Sequence, residues 1–137
     1  MHQIKTGGIK MREELLIGEI VTGIYKTGKY VGEITNIRPE HYLVKVKAVI
    51  KHPLQGDLHM PKEAEVPLFH ERRALAENEQ TNIPKSMVRK YEGSFQSYQE
   101  SLSKAVAELE NDLAEDSRPW AKMSLEKIQG LKADYFK

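Results

Sequence analysis

The sequence predicts an α+β protein: a small antiparallel β-barrel over residues 17–92, followed by an antiparallel helical hairpin over residues 93–137. Three observations carry this reading. Short runs rich in β-branched residues, separated by Gly, Pro and Asn turn signals, recur through residues 17–83. After Gly93 the apolar spacing changes from alternation to a helical period. The chain of 137 residues has no cysteine, so no disulfide framework or Cys-ligated metal substitutes for an apolar core.

The elements follow in order. Residues 1–16 form a partly ordered leader, with Met11 as an alternative start. Ile17 to Ile24 reads as the first strand, and Gly28 as the residue that takes a positive φ in the turn after it. Tyr30 to Ile37 is the second strand. Its two faces are Tyr30, Gly32, Ile34 and Asn36 against Val31, Glu33, Thr35 and Ile37. His41 to Ile50 is the clearest strand, with Tyr42, Val44, Val46, Ala48 and Ile50 on one face. Leu43, Lys45, Lys47 and Val49 share the other, where the lysines should meet solvent. Lys51 to Lys62 is a polar loop. Glu65 to Phe69 reads as an edge strand because of Pro67. Arg73 to Ile83 reads as the last strand and Pro84 to Tyr91 as a helical turn. Five short strands within this span favour closure, which removes exposed edges.

Ser94 is the expected N-cap of the first helix, and Phe95, Tyr98, Leu102, Val106, Leu109 and Leu113 make its apolar stripe. Asp116-Ser117-Arg118-Pro119 is the turn, with Pro119 suited to the first turn of the second helix. Trp120, Ser124, Ile128, Leu131 and Tyr135 repeat the period. Gly130 interrupts that helix and implies a packing reason. The short turn makes the helices antiparallel neighbours. Two helices cannot bury two stripes alone, so they must pack on the barrel, on a second copy or on a partner.

Composition limits function. At 39% hydrophobic and 30% charged residues, no run is long and apolar enough to span a membrane. Gly18 and Glu19 interrupt Leu15–Val21, so it is no signal-peptide core, and a cytoplasmic location is expected. The net charge of +1 divides into +3 over residues 1–92 and −2 over 93–137, too little to name a partner.

His52, Asp57, His59 and His70 are the one set to test for a metal, but their spacing matches no ligand motif and solvated loop residues are expected. His70-Glu71-Arg72-Arg73 contains acid and base groups with no predicted pocket, so it reads as a charged turn. Lys26, Lys29, Lys45, Lys47 and Lys51 interleave with Tyr25, Tyr30 and Tyr42, as a single-strand-binding face would, although Tyr42 alternates onto the apolar face. The aromatic stripe is mostly core. Its members Tyr98, Trp120, Tyr135 and Phe136, together with Lys45 and Lys47, are the candidates for touching a partner. No catalytic, cofactor or metal residue is assigned, which points to a binding or adapter protein rather than an enzyme.

Several longer blocks go further. They are Gly23–Ile34, His41–Val49, Pro53–His59, His70–Ala76, Gln80–Pro84 and Trp120–Leu125. In their order and wording the sequence resembles the kinase-associated protein B family of spore-forming Bacillus-type bacteria, over about residues 18–137. The resemblance implies an SH3-like barrel followed by helices. It also implies an accessory role to a membrane sensor histidine kinase that feeds the sporulation phosphorelay. It supplies no catalytic residue, cofactor or small-molecule substrate. The family has been called a lipoprotein. With no cysteine to acylate, this chain is expected to reach the membrane face through the kinase. A second copy, met through the hairpin, is a further expected partner, and nucleic-acid binding is the alternative function.

Overall fold

In the computed structural model, which describes residues 14–137, an antiparallel sheet is followed by two helices. Residues 1–13, most of the expected leader, lie outside the described residues. The strands are β1 (Ile20–Tyr25), β2 (Gly28–Ile37), β3 (His41–Lys51), β4 (Gln80–Pro84) and β5 (Val88–Lys90). The helices are α1 (Tyr98–Ala114) and α2 (Pro119–Tyr135). The sheet order is β4-β3-β2-β1-β5. β4 and β5 are consecutive in the chain yet occupy opposite ends of the sheet, joined by a 3-10 turn at Lys85–Met87. Ile83 of β4 packs against Gly23 of β1 across the fold. The sheet therefore curls without closing, and "barrel" describes it only loosely.

Three strand assignments change. The expected last strand, over residues 73–83, is a strand only from Gln80; residues 73–79 belong to the preceding loop, where side chains hold Ala74 and Leu75. Glu65–Phe69 is not a strand, because no ladder partner reaches it and Pro67 has no N–H to give. Val88–Lys90 is a strand, pairing with Val21–Gly23 of β1. The count of five survives with different members.

Bulges produce the curl. Register shifts between β2 and β3 leave Thr35, Lys47 and Ile50 without a partner across the ladder. Each bulge changes the phase of the alternation. Tyr42, Val44, Val46 and Ala48 are buried as the pattern predicts, but Val49 is also buried and Ile50 is half-exposed. For the same reason Tyr30 and Val31, neighbours in sequence, are both 1% exposed.

The β1–β2 turn also differs from its prediction. Lys26 and Thr27 take the positive φ values, 47° and 70°, as a two-residue hairpin loop requires. Gly28 serves another purpose: a Cβ there would lie 2.5 Å from the Tyr30 hydroxyl and 3.0 Å from the Pro53 ring. The turn is held by the Thr27 hydroxyl, which accepts the Leu54 amide at 2.9 Å.

The N-cap of α1 is Ser97, not Ser94. Its hydroxyl accepts the Glu100 amide at 3.2 Å and donates to the Glu100 carboxylate at 3.2 Å, so Phe95 precedes the helix. α1 lies against β3, where Ser101 Oγ accepts the buried Val49 amide at 2.9 Å and donates to the Tyr98 carbonyl. α2 begins at Pro119 as predicted. One core lies within the curl: Leu15, Val21, Ile34, Tyr42, Val44, Ile83 and Val88. The other lies between the sheet and the helices, and includes Tyr30, Val46, Val49, Leu102, Val106, Trp120, Ile128 and Leu131.

Candidate functional site

Residues 52–79 connect β3 to β4 with no helix or strand, an unusual length for a structureless connection in a compact domain. Such segments are frequently functional. The sequence read this region as a polar loop, an edge strand and the start of the last strand. The turn-rich length between Pro53 and Pro67 is the signal that could have marked it as one unit.

Gln55 staples its neck. The side chain is 4% exposed, accepts the Arg72 amide at 2.8 Å, and donates to the Arg72 carbonyl at 2.8 Å and the Pro53 carbonyl at 3.1 Å. The Gly56 amide donates to the His70 carbonyl, and Arg72 Nε donates to the Gly56 carbonyl. Gly56 sits at φ +103°, a conformation that a side chain would strain. Residues 57–69 therefore leave and rejoin the fold at one point, as an Ω-loop. Phe69 packs inward beside Gly56 and Trp120. Met60 and Leu68 are 45% and 58% exposed. They are two of the exposed large apolar side chains, with Leu16, Ile17, Ile24, Met87, Phe95 and Phe136 among the described residues.

A second clamp holds the returning arm. The Tyr30 hydroxyl from β2 accepts the Leu75 amide at 3.2 Å, and the Tyr98 hydroxyl from α1 donates to the Leu75 carbonyl at 2.6 Å. The Tyr135 hydroxyl from α2 accepts the Ala74 amide at 2.9 Å. Burial pushes the Tyr30 hydroxyl up to about 12, against the pull of its Leu75 bond. Burial also raises Tyr98 and Tyr135. His52, on the outgoing arm, is 4% exposed and lies 2.8 Å from the Tyr135 hydroxyl through Nε2. Burial lowers its pKa, so the ring is neutral near pH 7.

The candidate residues from sequence separate into three places. Tyr98 and Trp120 are buried, at 8% and 3%, and Trp120 Nε1 donates to the Gln55 carbonyl at 2.9 Å. Tyr98 meets Tyr135 at Ala74–Leu75, a convergence with Tyr30 that no spacing in the sequence reveals. Phe136 is 40% exposed beside the half-buried Tyr135. Lys45 and Lys47 lie apart on β3, half-buried, Lys47 reaching Asn78 at 3.5 Å.

Of the metal candidates, His52 has both nitrogens engaged within the fold. Asp57 accepts the His59 amide in a turn. Among the described residues no group of three His, Asp or Glu side chains is placed to hold a metal ion. His70-Glu71-Arg72-Arg73 forms the neck and an Arg73–Asp134 ion pair, which holds the Asp134 carboxyl below its ordinary range. Of the tyrosines proposed for stacking, Tyr30 and Tyr42 are 1% exposed. Among the described residues no helix is long and apolar enough to cross a membrane.

Two clefts, of about 320 and 300 Å³, flank α1 and share Ala105 and Glu108. The shifted groups His52, Tyr30, Tyr98 and Tyr135 all bond to the backbone or to one another. Their chemistry is that of holding chain segments.

Comparison with known proteins adds three findings. The family model described as Kinase associated protein B matches residues 25–136. Kinase-associated lipoprotein B of Bacillus subtilis (strain 168) is 59% identical over 119 residues, covering 87% of this chain and 93% of that protein. The crystal structure of kinase-associated protein B from Bacillus cereus is 54% identical with a TM-score of 0.76, covering 89% of this chain and 98% of that one.

Proposed function

The chain belongs to the kinase-associated protein B family, and from that premise we propose that it is a non-catalytic adapter that binds and modulates a membrane sensor histidine kinase feeding a sporulation phosphorelay. The observation that carries the reading is the family match, which spans β2 to β5, the Ω-loop and both helices. Its names state association with a kinase. The finer assignment, to a sensor histidine kinase and its phosphorelay, is ours. The groups whose pKa values burial shifts, His52, Tyr30, Tyr98 and Tyr135, are each engaged in holding chain segments, which supports an adapter. We assign the contact to Met60 and Leu68 on the Ω-loop, with Phe136 at the end of α2 and Lys45 and Lys47 on β3 as further candidates. Recruitment to the inner membrane face then comes through the kinase.

The test is co-purification with the kinase, followed by phosphotransfer measured with and without this protein. Binding and a change in phosphoryl flux are expected. Leu68→Asp, at an exposed position, should weaken binding by about tenfold or more while leaving stability within about 0.5 kcal/mol. No binding and no change in flux would sink the reading.

A further inference from the structure

We propose that His52, Tyr135 and Ala74 form a proton-sensitive latch that holds the end of α2 against both arms of the 52–79 segment and releases when His52 takes up a proton. The latch concerns this chain alone and does not rest on the kinase reading.

The hydrogen positions follow from the partners. His52 Nδ1 lies 2.9 Å from the Pro53 carbonyl, which can only accept, so Nδ1 carries the hydrogen. Nε2 then offers a lone pair, and the Tyr135 hydroxyl donates to it at 2.8 Å. The same oxygen accepts the Ala74 amide at 2.9 Å. One neutral tautomer satisfies all three groups. A proton added at Nε2 points at an oxygen that already accepts, and the Tyr135 hydrogen loses its acceptor. It also places a cation where the side chain is almost fully enclosed.

The charged groups around the ring do not offset this. Lys51, the last residue of β3, lines the cleft beside His52, and Glu108 and Asp112 of α1 face it across that cleft. The β1–β2 turn contributes only Thr27 to this lining. Arg73 lies over the Tyr135 ring and is paired with Asp134, and Glu71 also faces Tyr135. Lys51, Glu108 and Asp112 are solvent-exposed and therefore screened. Burial acts first on His52 and holds its pKa below 6.5, with the Pro53 bond opposing. The sign follows. The closed latch binds the proton less readily than the open one, so its stability is complete above about pH 6.5 and falls as the pH drops below that value.

The experiment is amide hydrogen exchange by NMR on the full chain at about pH 7.5 and about pH 5, corrected for intrinsic exchange. Ala74 protection is expected to fall between the first pH and the second. The Ile34 amide, which donates to the Glu19 carbonyl in the other core, should keep its protection. Tyr135→Phe should leave Ala74 weakly protected at both pH values. His52→Gln should make its protection independent of pH. Should that variant not fold, the ring ¹⁵N shifts of the unaltered protein decide, since the latch requires the Nδ1–H tautomer at neutral pH. Unchanged Ala74 protection, an equal loss at Ile34, or an Nε2–H tautomer would each overturn the proposal.

Discussion

In the sheet, backbone amides bond to carbonyls of the next strand, and side chains are left free to pack. Between residues 52 and 79 the backbone makes a few bonds to other backbone groups and is otherwise held by side chains: Gln55, Tyr30, Tyr98 and Tyr135 each hold an amide or a carbonyl of this segment. The first arrangement tolerates a changed side chain, provided its volume is kept. The second does not, because removing a clamping side chain leaves a part-buried backbone amide or carbonyl without the bond it makes here. The order of the 52–79 segment therefore rests on a few residues contributed by β2, α1 and α2. The helical hairpin acts as its scaffold as well as a cover for the sheet.

The harshest way to break the difference is Trp120→Ala, since Trp120 belongs to both regimes. It fills the helix-side core and donates to the Gln55 carbonyl. A loss of about 3–5 kcal/mol is expected in urea unfolding. Trp120→Phe keeps most of the apolar volume and loses the donor, so its cost should fall to about 1–3 kcal/mol. Equal costs for the two variants would show that the clamp, not the packing, dominates at this position.

Gln55→Ala separates the regions more cleanly. It removes three hydrogen bonds and leaves the Arg72 amide and carbonyl without their partner. About 2 kcal/mol of destabilisation is expected. The informative part is where it falls. Limited proteolysis should cut within residues 57–70 at native conditions while the sheet amides stay protected from exchange. Cleavage spread over the sheet would mean that the loop is part of the sheet's cooperative unit.

The contrast also explains how far the sequence could be read. Periodicity located β1 to β3 and both helices, because burying one face imposes a repeat on the chain. It misplaced Ile50 because a bulge resets the phase, and bulges at Lys47 and Ile50 have no compositional signature. It made a strand of Glu65–Phe69 because two apolar residues, Val66 and Leu68, alternate there with no ladder to join. It missed β5, only three residues long, whose Arg89 and Lys90 lie on the surface. The tyrosine clamps were invisible for a different reason. Tyr98 and Tyr135 announce themselves as stripe residues, and nothing in a stripe says that a hydroxyl will find a loop amide or carbonyl. The resemblance blocks did cover both the loop roots and Trp120, so the family was legible where the contacts were not.

The smallest expected effect sharpens the periodic side of the comparison. Gly130 sits within α2, exposed, and a Cβ there would meet nothing within 4 Å. The packing reason that its sequence position implied is therefore not found within this chain. If α2 obeys helix propensity alone, Gly130→Ala should stabilise the protein by about 0.5–1 kcal/mol. The melting temperature should rise by about 3 °C. Ala74 and Arg72 protection should change no more than the global stability does, because the face bearing Gly130 makes none of the clamp bonds. A loss of stability, or a change in association state by sedimentation, would mean that this face is covered in solution. A second copy of the chain packed against α2 would then be the first candidate, since a methyl group added to a close helix contact repels what a bare Cα admits.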